Sequence, residues 1–347
     1  MQPTSFAELV KKFRKIRSLT QRDFGRLLNP PVAQPTVAKW EKGEQLPDRK
    51  YFPKIASLMD FTLEDLFKLS TTKMPKVESI KVSRQIILWI VANVGGIGKT
   101  TLGIHLGYRL AQMGLDTLFI DLDTNGSLAR FCGLDSELEP EQTSAVLFNR
   151  NFTGDYPILR PQWGNPKGKF EVCLGGDVML SVALDLPTRT GRELVLKKAL
   201  KKYPLPHDLI ILDSPASLDV LSYTALAVAT HIAIPIPMSV KMSGVDSLLQ
   251  WIRGEAESLD LDPTPYFLGG IPMRVASNAD QQAFYSDIKE VLTEQDIPCF
   301  PGIRYSAEFE NASNRGRAPL HLYRPGHNAC QDFEPIVQAL LQQFRCS

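Results

Sequence analysis

The stretch QIILWIVANVGGIGKTT, residues 85–101, passes from an apolar run through a glycine-rich loop. The run at residues 85–91, QIILWIV, is short, almost entirely apolar and rich in isoleucine, as is typical of a buried strand. The residues that follow, LGIHLGYRLAQMG, have the pattern of a helix that begins where the loop ends. Strand, glycine loop and helix in this order predict a phosphate-binding loop in an α/β fold.

The residue types of this loop match the chemistry of binding a polyphosphate. Glycines let consecutive backbone N–H groups point at phosphate oxygens, and they stand at Gly95, Gly96 and Gly98. Lys99 would neutralise the β- and γ-phosphates, and the Thr100 hydroxyl would bind Mg²⁺. Asn93 occupies the position of the first glycine in the plain GxxxxGK[ST] pattern. The loop predicts binding of a nucleoside triphosphate with Mg²⁺.

Two further apolar runs end in carboxylates. The run TLFI at residues 117–120 leads to Asp121 and Asp123, and LIIL at residues 209–212 leads to Asp213. The carboxyl ends of parallel strands meet at one edge of a sheet, which is where ligands bind in open α/β folds. We therefore expect the three carboxylates beside the phosphate loop, where they would hold Mg²⁺ and orient an attacking water.

The charge is unevenly distributed along the 347 residues. Residues 1–84 carry 17 Lys and Arg against 9 Asp and Glu, whereas residues 85–347 carry 22 against 29. A basic segment attached to an acidic body indicates that the N-terminal part meets a polyanion.

The N-terminal part has the pattern of several short helices. Apolar residues at helical spacing predict a first helix over residues 6–16, and Thr20 is placed to cap a second that ends at Asn29. A third would begin near Gln34 and end at Gly43, and two more would lie around residues 52–59 and 63–69. Within this module, three side chains are expected in the core: Leu27, Val37 and Trp40.

These segments resemble the Xre/lambda-repressor type of helix-turn-helix, with LTQRDFGRLL, then PTVAKWEKGEQLPD, then IASLMDFTLEDLF. In such modules the third helix enters the major groove of DNA. The resemblance implies that Gln34, Thr36 and Lys39 meet bases or phosphates, and that Gln21 meets a phosphate. The polar segment STTKMPK then predicts a linker, which gives three regions: a DNA-binding domain at 1–70, a linker at 71–84 and an α/β domain at 85–347.

The larger region resembles the ParA/MinD branch of deviant Walker-A ATPases. The resemblance is carried by GGIGKTT, FIDLDTNGSL, LIILDSPASL and PGIRYSAEFENASNRGRAPLHLYRPGHNA. It implies ATP and Mg²⁺ as cofactors and a P-loop fold, a mainly parallel sheet flanked by helices. The implied phosphate contacts are Gly95, Gly96, Gly98, Lys99, Thr100 and Thr101. The resemblance also implies that Lys99 and Asp123 are the catalytic residues, and that Asp123 positions the water. It implies a metal site formed by Thr100, Asp121 and Asp213, with Asp213 as the Walker-B carboxylate.

The family resemblance also implies partners. Proteins of the ParA type form ATP-sandwich homodimers, bind DNA without sequence preference and hydrolyse ATP when a ParB-like adaptor stimulates them. Those with an N-terminal helix-turn-helix also repress their own operon. The interpretation favoured by the sequence is therefore a partition ATPase, with plasmid segregation as its role.

One position departs from the ParA pattern. The signature lysine that reaches the nucleotide of the opposite subunit is replaced by Val94. McdA-type ATPases, which position carboxysomes, also lack this lysine, so cargo positioning is an open alternative. We hypothesise that Lys241, in a loop after the strand HIAIPIP, supplies the missing charge across a dimer interface.

Four arginines near the C-terminus are expected to form a non-specific DNA surface: Arg304, Arg315, Arg317 and Arg324.

A second alternative is a transcription regulator for which ATP is only an allosteric ligand. An iron–sulfur ATPase would need a mate for Cys132, and none is evident among the five scattered cysteines. The sequence has no apolar run of the roughly 18 residues that a membrane helix needs, so we expect no membrane partner and a cytoplasmic location. The DNA binding that the ParA resemblance implies adds association with the nucleoid.

Overall fold

The computed structural model describes residues 6–17, 19–42, 45, 47–48, 51–59, 84–134, 138–164, 166–238, 243–276 and 279–345. The chain divides into a small helical unit and a larger α/β unit. The predicted helix around residues 63–69, nearly all of the linker and Lys241 lie outside the described residues. Within the described part of the chain, no helix is both long and apolar enough to cross a bilayer.

The N-terminal unit contains four described helices: α1 Phe6–Ile16, α2 Gln21–Arg26, α3 Gln34–Lys42 and α4 Phe52–Met59. Thr20 caps α2 as predicted, because its hydroxyl accepts from the Asp23 amide while the Asp23 carboxylate accepts from the Thr20 amide. Val37 and Trp40 are buried, but the prediction for Leu27 is wrong: its side chain is 40% exposed. The helix ends at Arg26, which turns Leu27 away from the core and leaves Leu28 to fill it.

The larger unit alternates strands and helices. Its strands are β1 Ile86–Ile90, β2 Thr117–Asp121, β3 Phe170–Cys173, β4 Leu209–Asp213, β5 His231–Pro237, β6 Tyr266–Val275 and β7 Ile303–Arg304. Its helices are α5 Lys99–Gln112, α6 Ser127–Cys132, α7 Val178–Asp185, α8 Val195–Lys202, α9 Val220–Val228, α10 Ser243–Ser258, α11 Ala279–Glu294, α12 Ala307–Asn311, α13 Leu320–Tyr323 and α14 Glu334–Arg345. A π-helical turn, Ala312–Gly316, continues α12.

The seven strands form one parallel sheet in the order β3-β2-β4-β1-β5-β6-β7. The predicted fold class is confirmed. The order places β1, β2 and β4 side by side at the centre, so the loops that follow them open at the same edge. In the β2–β4 ladder Asp121 stands opposite Asp213, and in the β1–β4 ladder Ile90 stands opposite Asp213.

Glycines let α5 lie close against the sheet. A Cβ added at Gly103 would clash with the Phe119 ring, and one at Gly107 would come within 2.8 Å of the Phe170 ring. The two glycines are four residues apart and therefore share one face of the helix. This close packing fixes the start of α5 at the edge where the three central loops meet.

Candidate functional site

The loop between β1 and α5 forms an open cradle. A Cβ at Gly95 or Gly96 would meet nothing within 4 Å, while Gly96 and Gly98 have left-handed φ values of 68° and 102°. No side chain caps the start of α5. The first backbone N–H groups of the helix, including that of Thr101, have no partner within the helix and are available to an anion.

Two side chains at the start of α5 turn toward the carboxylates. Lys99 is only 6% exposed, and its charge lies close enough to Asp213 to favour the ionised carboxylate. The Thr100 hydroxyl donates a 2.5 Å hydrogen bond to Oδ2 of Asp213. The structure therefore brings together the lysine, the threonine and the β4 carboxylate that the sequence singled out.

The other two carboxylates share one tight loop after β2. Oδ1 of Asp121 accepts from the Asp123 amide at 2.9 Å, and Oδ1 of Asp123 accepts from the backbone and side chain of Asn125 at 3.1 and 2.8 Å. The Gly176 amide donates to the Asp123 carbonyl at 2.9 Å. At Gly175, a Cβ would come within 2.8 Å of the Asp121 and Asp123 carbonyls. The loop thus holds Asp123 rigidly beside Asp121.

The buried carboxylates carry more negative charge than Lys99 alone offsets. Burial and the neighbouring Asp213 raise the pKa of Asp121 well above its usual range. Burial also raises the pKa of Asp213 to about 6, although Lys99 and the hydrogen bond from Thr100 oppose the shift. Two oxygens, Oδ2 of Asp121 and Oδ1 of Asp213, are buried with no hydrogen-bond partner. A divalent cation with oxygen ligands would satisfy both, so the residues present fit Mg²⁺.

Two contacts around the site have no signal in the sequence. Asn93 donates from Nδ2 to the Gly244 carbonyl at 3.0 Å and so ties the phosphate loop to the start of α10. Ser214, which follows the β4 carboxylate, accepts from the indole N–H of Trp89 at 2.9 Å. Both pairs join residues more than 100 positions apart, and only the folded sheet brings them together.

His105 links α5 to the C-terminal segment. Its Nδ1 lies 2.6 Å from the Thr101 carbonyl, and its Nε2 accepts from the Leu320 amide at 2.9 Å. The ring is fully buried and stacks on Phe333 at 4.9 Å. Because Nε2 accepts, the imidazole is neutral, with its proton on Nδ1. Burial lowers the pKa of His105 to about 4.

We predict acid destabilisation through this histidine. The unfolded imidazole binds a proton near pH 6.5 and the folded one near pH 4, so the unfolded state takes up more protons in that window. Its contribution to stability is therefore present above pH 6.5 and is lost as the pH falls toward 4. Between pH 7 and pH 5 the loss is about 2 kcal/mol. Urea unfolding of wild type and His105→Gln at pH 7 and pH 5 measures this loss of unfolding free energy. An equal loss in the two proteins would contradict the role of His105.

Among the candidate DNA-reading residues of the N-terminal unit, Gln21 and Gln34 begin α2 and α3, while Thr36 and Lys39 lie further along α3. Nε2 of Gln34 donates to Oε1 of Gln21 at 2.9 Å, and Nε2 of Gln21 donates to Glu41 at 2.9 Å. Lys39 is exposed, and Thr36 is partly buried. The structure brings the two glutamines together and leaves the Lys39 ammonium open to solvent.

The four arginines of the C-terminal segment have different surroundings. Arg304 is held by Asp332 through bonds of 2.7 Å from Nε and 2.6 Å from Nη2. The Arg317 carbonyl accepts from the Trp163 indole at 2.7 Å, and its side chain is exposed. Arg315 and Arg324 are also exposed. Arg304 thus has a protein partner that its sequence context did not suggest, 28 residues further along the chain.

Comparison with known proteins gives two family matches: an AAA domain over residues 85–261 and a helix-turn-helix over residues 10–66. The cell division protein PomZ of Myxococcus xanthus is 25% identical over 89% of this chain and 94% of its own length. The chromosome-partitioning ATPase Soj of Treponema pallidum is 30% identical over 53% of this chain and 69% of its own.

Two solved structures of McdA are also similar to this chain. Apo McdA of Cyanothece has a TM-score of 0.63 and 26% identity, covering 74% of this chain and 100% of McdA. An ATP complex of a Cyanothece McdA variant has a TM-score of 0.62 and 27% identity, over 74% of this chain and 97% of that one.

The fold, the open glycine cradle and the three buried carboxylates define a P-loop nucleotide-binding protein that also carries a helix-turn-helix. The chain belongs to the ParA/MinD-type family of AAA-domain ATPases. ATP and Mg²⁺ are accordingly its cofactors.

Proposed function

We propose that this protein hydrolyses ATP, dimerises in its ATP-bound form, binds DNA and partitions a DNA cargo, which we assign as a plasmid. The observation that carries the proposal is the convergence of Asp121, Asp123 and Asp213, all less than 10% exposed, beside the phosphate loop. A protein that only sensed ATP would need the cradle and the two metal-binding carboxylates but not a third one, Asp123, beside them. The proposed place of action is the nucleoid, in the cytoplasm.

Each residue has a role in this proposal. Gly95, Gly96 and Gly98 let the backbone amides surround the phosphates, and Lys99 offsets their negative charge. Asp123, held by Asn125, orients the attacking water and accepts its proton. Mg²⁺, when bound at Asp121, Asp213 and Thr100, supplies charge neutralisation and orients the phosphates.

The dimer needs a positive charge at the junction of two triphosphates. Val94 cannot supply it, and we assign it to Lys241. The bond from Asn93 to Gly244 supports this choice, because Gly244 stands only three positions after Lys241 in the chain. Two triphosphates brought together in a partly desolvated interface repel strongly, so a lysine there favours association.

Sedimentation velocity in Mg²⁺ tests the dimer. Wild type is expected to sediment as a dimer with a non-hydrolysable ATP analogue and as a monomer with ADP. Lys241→Ala is expected to remain monomeric with the analogue while still binding it, and Val94→Lys in that variant is expected to restore part of the dimer. Wild type that stays monomeric with the analogue would overturn the sandwich dimer. A dimer that persists in Lys241→Ala would overturn only the role of the lysine.

DNA binding is assigned to both units. The helix-turn-helix match at residues 10–66 supports operator binding and autoregulation through Gln21, Gln34, Thr36 and Lys39. The exposed Arg304, Arg315, Arg317 and Arg324 are our candidates for sequence-independent contacts, and Arg304 also pairs with Asp332. A ParB-like adaptor is the partner proposed to stimulate hydrolysis.

A second candidate is the positioning of a protein cargo. Val94 in place of the signature lysine, together with the likeness to McdA structures, favours it. The N-terminal helix-turn-helix favours DNA as the cargo, because a repressor module reads an operator. Gene deletion in the native host separates the two, since plasmid loss is expected only for the first.

A further inference from the structure

A second basic surface lies on helix α8 of the α/β unit. Helix α8 has the sequence VLKKALKK and buries Leu196, Ala199 and Leu200. Its other side carries four exposed lysines, which we call the lysine face: Lys197, Lys198, Lys201 and Lys202. Residues 189–202 hold six basic residues and one acidic residue, in a region whose overall balance is acidic.

The lysine face has little compensation from within the protein. The charged groups on the elements packed against α8 are Arg192, Glu193 and Asp219. Glu193 is paired with Arg192 at 3.0 Å, and Asp219 caps its own helix by accepting from the Leu221 amide at 2.9 Å. Among the described residues, Lys197, Lys198 and Lys201 form no ion pair. The charge is therefore presented to solvent.

The spacing is unfavourable for the helix itself. Lys197 faces Lys201, and Lys198 faces Lys202, at i,i+4 positions where like charges destabilise a helix by roughly 0.2–0.5 kcal/mol a pair. The helix dipole accounts for Lys201 and Lys202, which stand in the last turn, but not for the other two. An external polyanion would relieve the repulsion that remains.

We propose that the lysine face is a contact site for the phosphate backbone of duplex DNA. This inference rests on the proposed DNA-binding function, and it adds a surface to which no role has been given. The helix-turn-helix at residues 10–66 of the same chain favours DNA over other polyanions. Once that module is on DNA, its covalent attachment raises the local concentration of duplex phosphates around the α/β unit.

The salt dependence of DNA binding tests the proposal with the full chain. Each neutralised phosphate contributes about 0.9 to the slope of log K against log[salt], so Lys197→Gln/Lys201→Gln is expected to flatten the slope on random duplex DNA by about 1.8. The matched control, Lys167→Gln/Lys289→Gln, removes two exposed lysines elsewhere in the unit and is expected to leave the slope unchanged. Lys197→Arg/Lys201→Arg is expected to behave as wild type.

Binding of the same proteins to vesicles of equal phosphatidylglycerol and phosphatidylcholine is measured in parallel. Three results would overturn the proposal: an unchanged slope in the Gln variant, the same change of slope in the control variant, or a Gln variant that loses binding to the vesicles but not to DNA. The last would assign the surface to an anionic membrane. ATP turnover of the Gln variant checks its fold and is expected to match wild type. Absence of ATP-dependent dimers and turnover in the wild type would count against the proposed function instead.

Discussion

Asp123→Ala is expected to slow ATP turnover by about 100- to 10,000-fold, the usual contribution of a positioned general base. ATP affinity is expected to change little, because in the proposed site the loop and Lys99, and not Asp123, hold the phosphates. The variant should accumulate as an ATP-bound dimer. Single-turnover phosphate release and equilibrium ATP binding, measured on the same preparation, separate the two effects.

The matched variant for this experiment is Asp123→Asn. Its Oδ1 can still accept from Asn125, so the loop after β2 keeps its hydrogen bonds while the negative charge is lost. Turnover as slow as that of the alanine variant would assign the defect to the carboxylate. Wild-type turnover in both variants would exclude Asp123 from catalysis.

Lys99→Ala is expected to have its largest effect on binding. A charge-assisted hydrogen bond contributes about 1.5–3 kcal/mol, so ATP affinity should fall by roughly 10- to 150-fold. Turnover at saturating ATP should fall as well, because the charge that offsets the phosphates is absent. Titration with a fluorescent ATP analogue measures the first effect, and phosphate release measures the second.

Removal of this lysine also affects the ionisation of Asp213 and the packing of the site. Lys99 is buried and favours the ionised form of Asp213, so its loss raises the pKa of that carboxylate further. Lys99→Met retains most of the packing volume and controls for a cavity. Lys167→Ala, on an exposed lysine, controls for the overall charge. Unchanged affinity in Lys99→Met would contradict the role of the ammonium group.

The central site could be predicted because its parts are local in sequence. Each of β1, β2 and β4 is a short apolar run followed at once by its functional residues, and parallel packing brings their ends together. The spacing alone therefore placed Lys99, Asp121 and Asp213 at one edge. Thr20 could be recognised in the same way, because a helix cap and its partner stand three residues apart.

Other features depend on distant contacts. The sequence predicts Arg304 as a DNA contact, and its salt bridge with Asp332, from the segment before α14, has no signal in the local pattern. The bond between His105 and Leu320 joins residues 215 positions apart. Leu27 was expected in the core because it continues the apolar pattern of α2, yet the helix ends one residue earlier. No local pattern specifies such pairs or the last residue of a short helix.

The most direct test is steady-state phosphate release by the wild-type protein with saturating ATP, with and without Mg²⁺ and random duplex DNA. An ATPase built on these carboxylates is expected to release phosphate only with Mg²⁺, and faster with DNA. Tight ATP binding with no phosphate release under any of these conditions would contradict the account and identify the protein as an ATP sensor.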